Sequence, residues 1–252
     1  LLLAGLGGGS LVNSNVFLET EEDILKMGYW PPEIRDNPAG LDKCKAYWPS
    51  SQLKLVLAND PPRPDYQKVR DVLEPEPYPE NWPSLKKMQV FNEQAKTLGL
   101  QDKFRRVPLT TRFRNGPNSC GVNMSASTLA GQETTGVNDG SKTSTLVTYI
   151  ADAWNWGAEM FCKCEVRYIE KVQDDRGGYL IYFACHGKGR SRFAAGNVYG
   201  DLMWVHAKKA VFLGAGSIGT TEILLRSKHM GLSMSDWVGR AMSGNGDVLA
   251  FG

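Results

Sequence analysis

Cysteine is scarce in this chain. The five present, Cys44, Cys120, Cys162, Cys164 and Cys185, form an odd and sparse set, which argues against a disulfide scaffold. Cys162 and Cys164 stand one residue apart, which is not a usual zinc-ligand spacing. On a strand they would face the same side, as two small buried thiols. Charge of one sign is also lacking: 29 Lys and Arg against 27 Asp and Glu leave a net +2, with no Lys/Arg tract, so nucleic acid is excluded as a partner class. No apolar run approaches the length that spans a bilayer, and no internal repeat is visible. Residue 1 is not Met. Leu1–Ala4 lacks the basic flank and the length of a signal peptide. The expectation is a chain that begins inside a longer protein, with compartment and oligomeric state unspecified.

What is present suits a globular protein. The 252 residues are 42% hydrophobic and 22% charged, enough for one large domain or two interleaved smaller ones. The acidic run Glu19–Asp23 predicts a helix start, since exposed N–H groups attract negative charge there, and Gly28–Pro32 ends it. Leu41–Leu57 contains helix-like material broken at Pro49, and Tyr66–Leu73 adds a short turn. Glu74–Pro83 holds four prolines and excludes a regular helix or central strand. In Ser84–Leu98, apolar residues recur at three- and four-residue spacing, the helical pattern, and Gly99 is the stop. Residues 105–130 read as extended segments around the turn Asn115–Ser119, residues 131–143 as a polar loop, and Thr145–Trp156 as a helix. Phe161–Val172, the turn Asp174–Gly178 and Tyr179–Cys185 predict a hairpin. Extended runs at Leu202–His206 and Ala210–Leu213 follow, then a helix over Thr221–Lys228.

Two glycine segments carry the chemistry. In Gly7–Gly8–Gly9–Ser10–Leu11–Val12–Asn13, successive glycines let backbone N–H groups approach a ligand without Cβ obstruction. Ser10 and Asn13 add side-chain donors. Such a loop suits phosphate oxygens or the polar edge of a flavin ring; a turn without ligand is the plainer alternative. The second segment, Gly214-x-Gly216-x-x-Gly219 after Ala210–Leu213, has the form of a dinucleotide fingerprint. That motif requires a second strand ending in an acidic residue about twenty positions later. Asp236 is near that distance, but residues 227–235 are not strand-like.

Together these segments resemble the glucose–methanol–choline (GMC) oxidoreductases, in particular a cholesterol-oxidase-like branch. GLGGGSLVNSNVF resembles the family's first signature, and VFLGAGSIGTTEILLRS its second, with Gly216, Ser217, Thr220 and Ser227 at matching positions. Leu3 and Ala4 depart from the residues expected upstream, and Thr221 and Lys228 from those commoner in the second signature. Gly136–Lys142 followed by Thr148–Ile150 resembles an Asn/Gly/Lys loop and its helix, and Ser243–Asp247 an Asn-Gly segment near the flavin. The resemblance implies an α/β (α+β interleaved) fold: a partial Rossmann-like FAD-binding domain with a β-hairpin or meander, plus part of an antiparallel-sheet substrate domain. The implied division is 1–30 and 131–228 in the FAD-binding domain, 31–130 in the substrate domain or lid, and 229–252 returning to it. It implies FAD as cofactor, held around Gly8, Gly9, Ser10, Asn13, Val16, Val166, Ala215, Gly216, Asn245 and Gly246, with Val166 at the adenine end.

The implied activity is oxidation of a CH–OH group of a small-molecule alcohol, sterol-like or otherwise bulky and apolar, with a base taking the hydroxyl proton as hydride moves to the flavin. No metal is implied. Tyr29, Trp30, Tyr47 and Trp48 are candidates for an apolar pocket or lid, with core packing as their plainer reading. The family's catalytic histidine is expected beyond residue 252, so no catalytic residue is assigned and the chain as given is expected to be inactive. His186 at a strand end, His206 in a strand and His229 at a helix end, where a cation is favourable, take structural readings. The alternatives are a nicotinamide-dependent dehydrogenase built on Gly214–Gly219 and a catalytically inactive remnant.

Overall fold

Local signals and backbone pairing agree over most of the residues that the computed structural model describes, which are 5–19, 22–30, 32–36, 65–186 and 201–244. The chain divides into two units, Leu1–Met160 and Phe161–Gly252. All strand pairings among the described residues are antiparallel, which with the helices makes a mixed α/β fold.

In the first unit, a short helix α1 (Glu22–Leu25) starts at the acidic run and buries Leu25. A further turn of helix, α2, covers Pro32–Arg35. The stretch expected as a short turn is a full helix, α3 (Asp65–Leu73), which stops where Glu74 takes a φ of 45°. The prolines after it permit only the two-residue strand β1 (Glu76–Pro77). Helix α4 (Lys86–Thr97) fits its apolar spacing, and Gly99 ends it at φ 67°. A 3-10 turn at Gln101–Lys103 leads to β2 (Pro108–Leu109), which pairs with β1.

From β2 the chain becomes a ribbon bonded to two distant segments. Phe17 N–H donates to the Pro108 carbonyl and Thr110 N–H to that of Asn15. Arg112 N–H donates to the Ser141 carbonyl, and Thr143 N–H to that of Thr110. The ribbon's core is polar: Asn15, Thr110, Thr111, Arg112, Ser141, Lys142 and Thr143 are all buried. Such a core holds only when its members satisfy one another. Arg112 Nη1 does so with Glu74 Oε2 at 2.7 Å and Nη2 with the Pro117 carbonyl at 3.0 Å, while Arg112 Nε and Thr143 Oγ1 are buried without a partner among the described residues. Apolar support comes from Tyr78, Trp82 and Phe113, which meet edge-on at 5.1–6.2 Å between centroids, the geometry favoured by ring quadrupoles.

The expected turn near Asn118 joins β3 (Gly116–Pro117) and β4 (Asn123–Met124). Asn118 Oδ1 accepts from Cys120 and Val122 N–H, and its amide donates to the Val147 carbonyl. Helix α5 covers Tyr149–Asn155. It starts later than expected because Thr145 is bonded to the glycine loop and the Thr148 hydroxyl to the Ser144 carbonyl.

The second unit is a meander of β5 (Cys164–Lys171), β6 (Tyr179–Cys185) and β7 (Met203–Ala207), in that order across the sheet. Gly178 closes the first turn at φ 79°; a Cβ there would lie 2.2 Å from the Ala207 carbonyl oxygen. Tyr168 and Tyr182 stack across the strands at 4.5 Å. Strand β5 starts later than expected because Lys163 adopts φ 58°. Cys162 therefore lies off the strand and is exposed, and Cys164 is only half-buried, so the two do not form a buried pair on one strand face. Residues 210–213 form no ladder, a second departure from expectation.

Helix α6 (Gly216–His229) packs on β5 and begins five residues earlier than expected, taking in Gly216 and Gly219. Two of its side chains bond the β5 backbone. Ser227 Oγ accepts from Ile169 N–H at 2.9 Å, and Arg226 Nε donates to the Arg167 carbonyl at 2.6 Å. Leu41–Leu57 lies outside the described residues.

Candidate functional site

The glycine loop lies in the first unit. Residues Gly8–Leu11 form a 3-10 turn entered through Gly7 at φ 100°. A Cβ on Gly7 would sit 3.1 Å from Leu146 Cβ, so that position needs glycine. Gly8 and Gly9 differ: nothing lies within 4 Å of where their Cβ atoms would stand. Their backbone faces open space, the access that a polar ligand requires.

The loop is held from behind. Ser10 Oγ donates to the Gly7 carbonyl at 2.6 Å, accepts from Thr145 N–H at 3.1 Å and lies 2.8 Å from Thr145 Oγ1. The Ser10 hydroxyl is thus engaged in building the loop. Lys142 Nζ donates to the Asn13 carbonyl at 2.6 Å, the Glu133 carbonyl at 3.1 Å and Asn15 Oδ1. Asn15 takes φ 64°, a conformation asparagine tolerates, and its amide donates to Thr111 Oγ1 at 2.8 Å. Asn13 is exposed.

Burial pushes the Lys142 ammonium below its ordinary value, with the Glu133 carboxylate opposing it. The loop that carries Lys142 is fixed by Asp139. Burial would raise this carboxyl, but bonds from Ser141 and Thr128, hydroxyl and N–H alike, outweigh it and bring it down to about 2.

Downstream of the glycine loop, Val16 is half exposed and bridges to Leu109. Leu109 also walls an open, largely apolar cavity of about 810 Å³, whose lining includes Leu85, Met88, Phe91, Leu98 and Phe104. Tyr29 and Trp30 do not line it. They lean on each other at 5.9 Å, with Tyr29 exposed. Tyr47 and Trp48 lie outside the described residues.

The second unit carries the other candidate residues. Val166 is half-buried and pairs with Phe183 beside a register shift in β5. Ala215 caps α6, and its N–H donates to Thr220 Oγ1 at 3.1 Å. Gly216, at φ 74°, opens the helix. A cavity of about 560 Å³ meets this turn, lined by Gly214, Gly216, Ser217, Thr220 and Arg240. The positive end of α6 together with Arg240 suits an anionic group. Asn245 and Gly246 lie outside the described residues.

No βαβ unit forms here among the described residues. Residues 210–213 are not a strand, and no strand follows α6 through residue 244. Asp236 is paired instead to Lys228 at 2.5 Å. The histidines are likewise engaged structurally: His186 Nε2 lies 2.6 Å from Glu165, His206 Nε2 lies 2.8 Å from the Gly177 carbonyl, and His229 is the last residue of α6.

Sequence reasoning singled out the glycines but missed Asn15, Thr145 and Arg240, and gave Lys142 no role of its own. The open Gly8–Gly9 backbone leaves room for a polar group of a ligand, and in the second unit, taken by itself, the turn at Gly216 borders a cavity suited to an anionic group. A sequence model of the GMC oxidoreductases matches residues 2–243. No solved structure matches the chain.

Proposed function

The chain belongs to the GMC oxidoreductase family, a family of FAD-binding oxidoreductases, and from that premise we propose that it contributes the flavin site of an enzyme oxidising the CH–OH group of a bulky apolar alcohol. The observation that carries the cofactor assignment is the open Gly8–Gly9 backbone, pinned from behind by Ser10, Thr145 and Lys142. Bound FAD would supply hydride acceptance. The chain's residues bind and orient it: Gly8, Gly9 and Asn13 from the loop, Val16 beyond it, Val166 through its backbone, and Ala215 and Gly216 at the head of α6. Asn245 and Gly246 belong to the same assignment. Ser10 acts by holding the loop's shape. The four-segment division into FAD-binding and substrate parts belongs to the same proposal.

The substrate class rests on the apolar cavity beside Leu109, since apolar pockets of several hundred cubic ångströms suit bulky ligands. The apolar lining supports a sterol-like alcohol within that class, in keeping with the resemblance to a cholesterol-oxidase-like branch. None of His186, His206 and His229 serves as the catalytic base in this reading.

Gly9→Val tests the assignment. The space around Gly9 is empty and its φ is not positive, so the variant folds with its urea midpoint unchanged. Its side chain enters the proposed cradle and weakens FAD binding, read by flavin fluorescence quenching, by about tenfold, or ~1.4 kcal/mol. Unchanged affinity with an unchanged midpoint would move the flavin away from this loop.

A further inference from the structure

Cys164 and Cys185 are direct partners across β5 and β6. Their sulfurs lie 3.5 Å apart, and both residues are half-buried, so small reagents reach them. Paired residues in an antiparallel ladder hold their Cα atoms at about 4.5 or 5.5 Å, and both spacings fall within the disulfide range of about 4.4–6.8 Å. The two thiols need only a change of side-chain torsion to bond. They sit at the open end of the hairpin, opposite the turn at residues 174–178. That end is otherwise tied by the His186 N–H to Lys163 carbonyl bond at 2.7 Å and the Glu165–His186 contact.

We propose that Cys164 and Cys185 are a reversible redox site, oxidised to a cross-strand disulfide by exchange with a low-molecular-weight disulfide. The sulfur of Cys185 attacks the small disulfide, breaking its S–S bond and releasing one small thiolate. The sulfur of Cys164 then attacks Cys185 Sγ in the mixed disulfide, expelling the second thiolate. Each small thiolate takes up one cysteine proton, and two electrons pass from the protein sulfurs to the reagent. Burial, then the contact with Cys185, pushes the Cys164 thiol up, which disfavours it as the first nucleophile, and its 3.5 Å separation from Cys185 Sγ places it for the second step. Cys162 is exposed, and its carbonyl lies 3.5 Å from Cys164 Sγ, but its thiol is not in the ladder. The bridge would clamp the strand pair two residues from Val166 and Phe183. On the flavin reading of Val166, oxidation therefore stiffens one wall of the cofactor site, although the bridge itself does not depend on that reading.

The full chain, reduced and then equilibrated with oxidised glutathione, tests the proposal. Alkylation and mass spectrometry are expected to show the loss of two of its five thiols and of two hydrogens in mass. Peptide mapping is expected to join Cys164 to Cys185, and amide exchange at the start of β5 to slow at least tenfold. Dithiothreitol reverses all of these. Cys162→Ser keeps the bridge, while Cys164→Ser and Cys185→Ser each lose it. Retention of all five thiols, glutathione trapped on Cys162 alone, or a bridge that uses Cys162 would overturn the proposal. The wild-type peptide map decides even if a serine variant fails to fold.

Discussion

Asp139→Asn is the most informative single change in the first unit. The carboxylate takes four hydrogen bonds, the Thr128 N–H and hydroxyl on Oδ2 and the Ser141 N–H and hydroxyl on Oδ1, at 2.6–2.9 Å. Asparagine keeps one acceptor oxygen, so it retains the Ser141 pair and turns its NH2 toward two Thr128 donors. Water reaches exposed Thr128, which holds the loss near the lower end of the range for bonds to charged groups, about 1–2 kcal/mol in total. The titration gives an independent figure. A folded value of about 2 against the ordinary 3.8 corresponds to ~2.4 kcal/mol. Asp139 is half-buried, and the solvent that still reaches it screens that figure down to about 1 kcal/mol. The folded value is the lower one, so the contribution is complete above the ordinary value and disappears as pH falls through the folded value. Urea unfolding of both proteins, followed by tryptophan fluorescence from about pH 7 downward, is expected to show a gap of about 1 kcal/mol that closes toward about pH 2. A gap that stays constant with pH would refute the assignment of the stabilisation to this carboxylate.

Two further substitutions probe the buried polar contacts. Lys142→Met removes the donor shared by Asn13, Asn15 and Glu133. It is expected to cost about 2–4 kcal/mol in chemical unfolding, because buried acceptors lose their partner, and to weaken FAD binding as the glycine loop loosens. Ser227→Ala leaves the Ile169 N–H without an acceptor in a buried position. The expected loss is about 1–3 kcal/mol, together with faster amide exchange at Ile169 than at its neighbours in β5.

Elements specified by nearby residues were legible in the sequence. The apolar spacing of Leu85, Met88, Phe91 and Ala95 placed α4, and the glycines of the 174–178 turn placed the hairpin with β6 at its observed bounds. Contacts across long separations were not legible. Nothing local announces that Lys142 reaches Asn13 and Asn15 or that Thr145 bonds Ser10, since each contact depends on how the 108–112 ribbon folds. Gly214–Gly219 misled in a different way. Its spacing suggested a glycine turn that precedes the helix, but the helix begins at Gly216, and Ala210–Leu213 finds no ladder partner among the described residues. The Gly8–Gly9 part of the candidate site was readable because glycine reports directly on backbone access. The lysine and threonines that hold this loop were not, because polar residues have the same appearance in sequence whether they are solvated or buried.

The contacts that Arg226 and Ser227 make with β5 have a consequence for assembly. A bare strand border is a template on which another chain can add, and a sheet with two bare borders can propagate in both directions. In this meander the β5 border is already occupied by side chains of α6. Met203, Trp204 and Val205 on β7 are exposed, and among the described residues β7 is the only free border of the sheet. Copies that met through β7 would each present their α6-covered border outward, so addition would terminate at two and could not continue as a fibre.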